Sequence, residues 1–178
     1  CPGSRNVPIA HTLSNHPAFT CYAMTDERSA GYFALGLALN SGKPVAVCCT
    51  SGTALLNLHP AVAEAFYQHL PLIILTSDRN HYYLNQQEDQ CVPQKNLYSD
   101  IVRKSVDLPI VRDGMDFWYC NRLVNEALLE LDHREKGPVH INFQIDDSYP
   151  VEKALYKFEV PALPSVTKID RVMPTDSN

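Results

Sequence analysis

Four turns in this sequence carry residue types that could do chemistry. In "MTDERSAG", residues 24–31, Asp26-Glu27-Arg28 stand between an apolar run at 18–24 and another at 32–39. A carboxylate at the floor of a cleft, beside an apolar helix, is desolvated and so fitted to exchange protons; Glu27 is the candidate. The plainer alternative is that Thr25 or Asp26 caps a helix and Glu27 favours its positive end, which accounts for Asp26 better than for Glu27. At Thr50-Ser51-Gly52-Thr53, a turn between strand and helix aims backbone N–H groups outward, where they can meet an anion or a ring. The alternative there is a helix cap with a glycine for tight reversal. The turn is neither GxxxxGK[ST] nor GxGxxG. Arg5 and Arg79 each follow small or polar turn residues. Two guanidiniums on one rim suit a substrate bearing carboxylates, which the planar fork binds bidentately. The alternative is two solvated arginines, or ion pairs to Asp26 and Asp78.

These turns need elements to position them. Residues 18–24 read as a strand. Residues 28–40 read as a helix buried nearly all round, with Leu35 and Leu39 opposite a stripe of Ala30, Ala34 and Ala38 that admits a second helix. Val45–Cys49 is a continuous apolar run, the mark of a strand covered on both faces, with Cys48 and Cys49 pointing opposite ways. Residues 54–69 read as a helix, in which Pro60 either makes a kink or starts a second part. Residues 72–76 read as a buried strand, and 80–96 as a polar loop long enough to be functional. Next come a short helix at 97–104 and a short strand at 105–108. Residues 116–133 make an amphipathic helix with Asp116 at its N-terminus, and 139–145 make a strand. The alternation predicts an α/β three-layer sandwich with a mainly parallel sheet. Ligands then bind at the C-terminal strand ends, where all the candidate turns fall.

Bulk properties narrow the function. The net charge of −5 and the lack of a long Lys/Arg run argue against a nucleic-acid footprint. No apolar run approaches the roughly 20 residues of a membrane helix, and a role at a membrane surface is not expected. The six cysteines include no CxxC pair and read as reduced thiols of a cytoplasmic protein. The seven histidines show no HxH or HxxxH spacing, which argues against a zinc site.

Taken together, "PGSR", "TDERSAGYFALGLA", "PVAVCCTSGTALLNLHPAVAEA" and "PLIILTSDR" resemble the N-terminal, pyrimidine-binding domain of the menaquinone-pathway SEPHCHC synthases (2-succinyl-5-enolpyruvyl-6-hydroxy-3-cyclohexene-1-carboxylate synthases), which use thiamine diphosphate. The similarity runs from Pro2 to about Pro109 and resumes at "KGPVHINFQID". The resemblance implies that Glu27 hydrogen-bonds N1′ of the aminopyrimidine and relays the proton that activates the cofactor. It implies that Thr50, Ser51, Gly52, Thr53 and Asn57 wall the pyrimidine. Ser4, Arg5, Arg79 and Gln90 match positions that meet substrate carboxylates or polar groups. The implied substrates are 2-oxoglutarate and isochorismate, both dicarboxylates. The implied reaction decarboxylates the first and adds the resulting succinyl carbanion equivalent to the second, a C–C bond-forming transfer. Where the family often has Asn-Gln, this chain has Asp89-Gln90. An acid there repels a carboxylate unless it points away, so no role is carried onto Asp89.

The family holds the diphosphate through Mg2+ or Mn2+ on a second domain, marked by GDG or a close variant. Here Asp113-Gly114 stands alone in a stretch that reads as a turn, so no metal site is expected within the chain. The opening "CPGSR" has the composition of a turn at the end of a strand, so an upstream strand is expected to be missing. Residues 1–148 form the expected domain, and the proline-rich stretch 149–178 a linker toward an absent one. The chain alone is expected to be inactive, though able to pair with itself as a dimer or tetramer through the helix at 28–40. Two rival expectations are an acetolactate-synthase-like carboligase and a non-catalytic α/β binding domain of the same superfamily. Two arginine clamps argue against the first, and an acid at the cleft floor against the second.

Overall fold

The computed structural model describes residues 1–146 and 165–172. Its elements in chain order are α1 (Val7–Asn15), α2 (Glu27–Ser41), β1 (Val45–Cys49), α3 (Thr53–Tyr67), β2 (Leu72–Asp78), β3 (Lys104–Leu108), α4 (Gly114–Leu129) and β4 (Val139–Gln144). The four strands form one sheet in the order β1-β2-β4-β3. Every pairing is parallel, with Val45 opposite Leu72, Ile73 opposite Val139 and Lys104 opposite Val139. This is the expected α/β architecture, with helices on both faces of the sheet.

Strand alternation divides the core in two. Val47, Cys49, Leu72 and Ile74 face one way, onto Leu55, Leu58 and Val62 of α3 and Ala34 and Ala38 of α2. Leu75, Val106, Leu108, Val139 and Ile141 face the other way, toward Ala127 of α4 and Leu131, with Ile9 and Leu13 of α1 at the margin. Cys48 and Cys49 lie in opposite clusters, as expected. Burying side chains such as Leu55, Leu58 and Ile74 stabilises the fold by roughly 1.5–3 kcal/mol each. Gly31 of α2 lets α3 come close, since a Cβ there would lie 2.8 Å from the Ala61 Cβ.

Several expectations are corrected. Residues 18–24 are not a strand; they form no ladder, and Phe19 and Tyr22 are exposed. Apolar composition makes a strand only where a sheet edge is there to pair with it. The helix α2 is not buried all round: Ala30, Gly31, Ala34, Leu35 and Ala38 pack inward, while Tyr32, Phe33 and Leu39 face outward. Residues 97–104 hold a single 3-10 turn, Ser99–Ile101, before β3 begins at Lys104. Tyr98 fastens that segment beneath α3 by donating its hydroxyl proton to the Leu55 carbonyl. Asp113, not Asp116, caps α4: its Oδ1 accepts the N–H groups of Met115 and Asp116, each at 2.9 Å. Asp116 instead accepts the Arg112 N–H. Pro60 lies inside an unbroken α3. The carbonyl it leaves without an amide partner belongs to Leu56, which is exposed to water.

Of the expected linker, residues 165–172 are described, and they lie along α4. The Thr167 carbonyl accepts from the side-chain amides of Asn121 and Asn125, and Arg171 pairs with Glu130 at 2.5 Å. The remainder of that expectation falls outside the described residues.

Candidate active site at the C-terminal strand ends

Asp26 starts α2. Its carboxylate accepts the Ser29 N–H at 2.7 Å, a bond that holds the carboxyl below the ordinary aspartate range. Asp26 is therefore committed to the cap, and Glu27 is the first helical residue. Glu27 is half-buried rather than fully buried. Its carboxylate lies close enough to the end of β1 to act electrostatically on the Cys49 thiol, which burial above all pushes far up.

The corner after β1 is a tight crossing of three segments. Thr50 and Ser51 are buried and Gly52 takes φ +83°, a conformation that favours glycine. A Cβ on Gly52 would lie 2.7 Å from the Gln90 Cα, so the loop after β2 presses directly on this turn. A Cβ on Gly3 would lie 2.5 Å from the Thr50 Cβ, so the N-terminal turn presses on it from another side. Arg5 Nη1 donates to Ser51 Oγ at 3.1 Å. Asn57 sits one helical turn into α3 and donates to the Thr53 carbonyl at 3.3 Å. The structure thus brings together Arg5, the 50–53 corner, Asn57 and Gln90. Ser4 and Gln90 are exposed beside it. Arg79 stands at the end of β2. Its Nε donates to the Asp89 carbonyl at 3.0 Å and its Nη2 pairs with Asp89 Oδ1 at 2.5 Å.

Beneath the corner lies a polar network that the local sequence pattern does not disclose. Gln94, 1% exposed, accepts the Gly52 N–H at 2.9 Å and donates to the Ser77 carbonyl and to Asn142 Oδ1, both at 2.9 Å. Asn142 Oδ1 also accepts from Thr76 Oγ1, while its Nδ2 donates to Asp78 at 2.8 Å and Asp107 at 2.7 Å. All four hydrogen-bonding positions of the Asn142 amide are filled, which fixes its orientation. Because Thr76 spends its proton on Asn142, His140 Nε2 must donate to Thr76 Oγ1 at 2.8 Å, and Nδ1 accepts from Ser105 at 3.0 Å. Burial holds the His140 imidazole down to about 4, so it is neutral with its proton on Nε2. Burial also pushes the Asp78 carboxyl up to about 6, against the hydrogen bonds from Asn142 and the Arg79 N–H. The available signal was the alternation of His140, Asn142 and Gln144 along β4, which on a sheet covered on both faces turns all three toward one interior.

The geometry suits a ring-binding corner. Thr50 Oγ1 is buried with no hydrogen-bond partner among the described residues, which leaves a polar position for a ring substituent. Thr53 is exposed and Asn57 half-buried on the first turn of α3, and Glu27 stands at the start of α2. These residues fit an aminopyrimidine. Among the described residues, no group of three or more His, Cys, Asp or Glu side chains could hold a metal ion.

The family model for the thiamine pyrophosphate enzyme, N-terminal TPP binding domain, matches residues 1–97. The chain is 61% identical to the 2-succinyl-5-enolpyruvyl-6-hydroxy-3-cyclohexene-1-carboxylate synthase of Bacteroides thetaiotaomicron, over 96% of this chain and 30% of that protein. Proteins of the same name from Bacteroides fragilis and Flavobacterium johnsoniae are 58% and 38% identical, over 96% and 98% of this chain. The chain spans about 30% of the length of each of these relatives. A parallel sheet with an acid at one helix start, a buried glycine corner at the next, and a matching family model give one conclusion: the chain belongs to the thiamine pyrophosphate enzymes, as an N-terminal TPP binding domain.

Proposed function

We propose that the protein carrying this chain decarboxylates 2-oxoglutarate and adds the succinyl carbanion equivalent to isochorismate, as a synthase of menaquinone biosynthesis. The observation that carries this reading is the identity of 61% across 96% of the chain to a relative so named. Thiamine diphosphate, when bound, supplies the electron sink that makes the decarboxylated carbon nucleophilic. Glu27 holds and returns a proton at the aminopyrimidine edge. Thr50, Ser51, Gly52, Thr53 and Asn57 shape the surrounding wall, and the buried Gln94–Asn142 network keeps that wall rigid. Arg5 and Arg79, with Ser4 and Gln90, receive the carboxylates and polar groups of the two substrates.

The diphosphate and its Mg2+ or Mn2+ are proposed to be held outside these 178 residues. On this reading, the chain by itself turns over no substrate and binds the cofactor weakly. A cytoplasmic location and a dimeric or tetrameric assembly are proposed with it. The alanine stripe of α2 is already covered by α3, so self-association falls to the outward side that carries Tyr32, Phe33 and Leu39. No described helix is long and apolar enough to cross a membrane.

The deciding experiment assays the full-length protein, loaded with thiamine diphosphate and Mg2+, on 2-oxoglutarate plus isochorismate and, separately, on pyruvate. Product from the first pair alone supports the reading. Turnover of pyruvate alone favours an acetolactate-synthase-like carboligase, and turnover of neither favours a non-catalytic domain.

A further inference from the structure

We propose that Asp89 is a built-in competitor for the substrate carboxylate at Arg79. This rests on the reading of Arg79 as a substrate-carboxylate group. The Arg79 fork is already engaged by the chain's own loop. Nε meets the Asp89 carbonyl at 3.0 Å, Nη2 meets Asp89 Oδ1 at 2.5 Å, and Nη1 lies 3.8 Å from Glu88 Oε2. The Nε/Nη2 edge is the one a planar guanidinium offers to a bidentate carboxylate, so Asp89 holds the place such a ligand would take.

The two partners differ in freedom. The Arg79 side chain is 13% exposed, whereas that of Asp89 is 79% exposed. The guanidinium is therefore fixed on the rim, while the carboxylate covering it can rotate into water. The loop backbone is less free to leave. Asn85, Gln87 and Gln90 all adopt positive φ, and the Gln90 Cα packs on Gly52. Rotation of the Asp89 side chain frees Nη2 while the backbone carbonyl stays on Nε, so a substrate carboxylate binds by exchange at Nη2, one carboxylate oxygen replacing another. The guanidinium is never left unpaired, and the substrate gains only the difference between two similar ion pairs. Asp89 thereby raises KM, acting at the position where the sequence departs from the expected Asn-Gln.

The test uses the full-length protein loaded with thiamine diphosphate and Mg2+. KM and kcat are measured for 2-oxoglutarate and for isochorismate in the parent, Asp89→Asn, Arg79→Gln and the double variant. Asp89→Asn is expected to lower KM for one of the two dicarboxylates about fivefold, the scale of one exposed ion pair. The gain is expected to vanish in the Arg79→Gln background, because the two residues act through one contact. Asp89→Ser repeats the test should Asp89→Asn fold poorly, as judged by thermal denaturation. If folded Asp89 variants show no lower KM while Arg79→Gln raises it, the competitor role is overturned and the reading of Arg79 stands. If Arg79→Gln leaves both KM values unchanged, the reading of Arg79 falls and takes this proposal with it.

Discussion

The Gln94 carboxamide and the Gly52 amide, 42 residues apart in sequence, meet at 2.9 Å inside the protein. Through that bond the turn after β1 is tied to the ends of β2 and β4, since the same carboxamide also holds Ser77 and Asn142.

Gln94→Ala removes three hydrogen bonds and leaves the Gly52 N–H and the Ser77 carbonyl buried without partners. The expected loss is about 2–4 kcal/mol in urea unfolding. Gln94→Glu keeps an acceptor for Gly52 but places a charge beside Asn142 and loses both donors. It should be at least as destabilising. Gly52→Ala should also destabilise, because its Cβ would meet the Gln90 Cα at 2.7 Å and its φ is +83°. Unchanged urea midpoints in all three variants would show that the crossing is not rigid.

Gly31→Ala sets two effects against each other. Alanine gains about 1 kcal/mol of helix propensity over glycine. Its Cβ, however, would sit 2.8 Å from the Ala61 Cβ and 3.3 Å from Leu58 Cδ2, forcing α2 and α3 apart. Overpacking of this kind costs roughly 1–3 kcal/mol, so the net change is expected to be destabilising. A thermal midpoint above the parent's would mean that the helices separate easily.

Asp78 and His140 occupy one network and titrate in opposite senses. Asp78, raised to about 6, keeps its proton in the folded state while the unfolded chain has released it. Its contribution to stability is full below the ordinary aspartate value near 4 and is lost as pH rises toward 6. His140, lowered to about 4, is neutral when folded while the unfolded imidazole is protonated up to about 6.5. Its contribution makes stability rise with pH across that window. Asp78→Asn should therefore uncover a rising profile between pH 4 and 6, and His140→Gln a falling one. Each should differ from the parent by roughly 2–3 kcal/mol across the window, at about 1.4 kcal/mol per pH unit. Variant curves parallel to the parent curve, measured by denaturant unfolding at each pH, would contradict this.

Arg5→Lys keeps the charge but loses the planar fork that reaches Ser51 at 3.1 Å. On the proposed reading, KM for a dicarboxylate substrate should rise about tenfold in the full-length protein, with a smaller change in kcat. A fall in kcat alone would assign Arg5 to the chemical step instead.

Legibility in the sequence tracked the strength of local signals. Val45–Cys49 was legible to the residue because a fully covered strand is a continuous apolar run between turns. The apolar run at 18–24 misleads for the same reason, since nothing local says whether a partner strand exists. The helix α1 went unread because it is short and has no fully buried residue, so the i, i+4 pair of Ile9 and Leu13 and the Pro8 at its start were weak cues. The turns at 50–53 and 78–79 do stand at the ends of β1 and β2, whereas Asp26-Glu27-Arg28 follows an unpaired stretch and Gly3-Ser4-Arg5 leads into α1; Arg5 nonetheless reaches Ser51. The Gln94–Asn142 network was not legible, because it joins residues 48 apart and depends on the register of Thr76 opposite Asn142. Nor was the Asp89–Arg79 pair, where the acid that departs from the family pattern is the arginine's own partner.

The central claim is that Glu27, and not its neighbour Asp26, is the working acid. Its most direct test is the turnover of 2-oxoglutarate with isochorismate by full-length Glu27→Gln, beside its thermal midpoint. Loss of the proton relay should lower turnover by about 10²–10⁴-fold while the midpoint stays at the parent's value. Turnover close to the parent's in a folded Glu27→Gln protein would contradict the account.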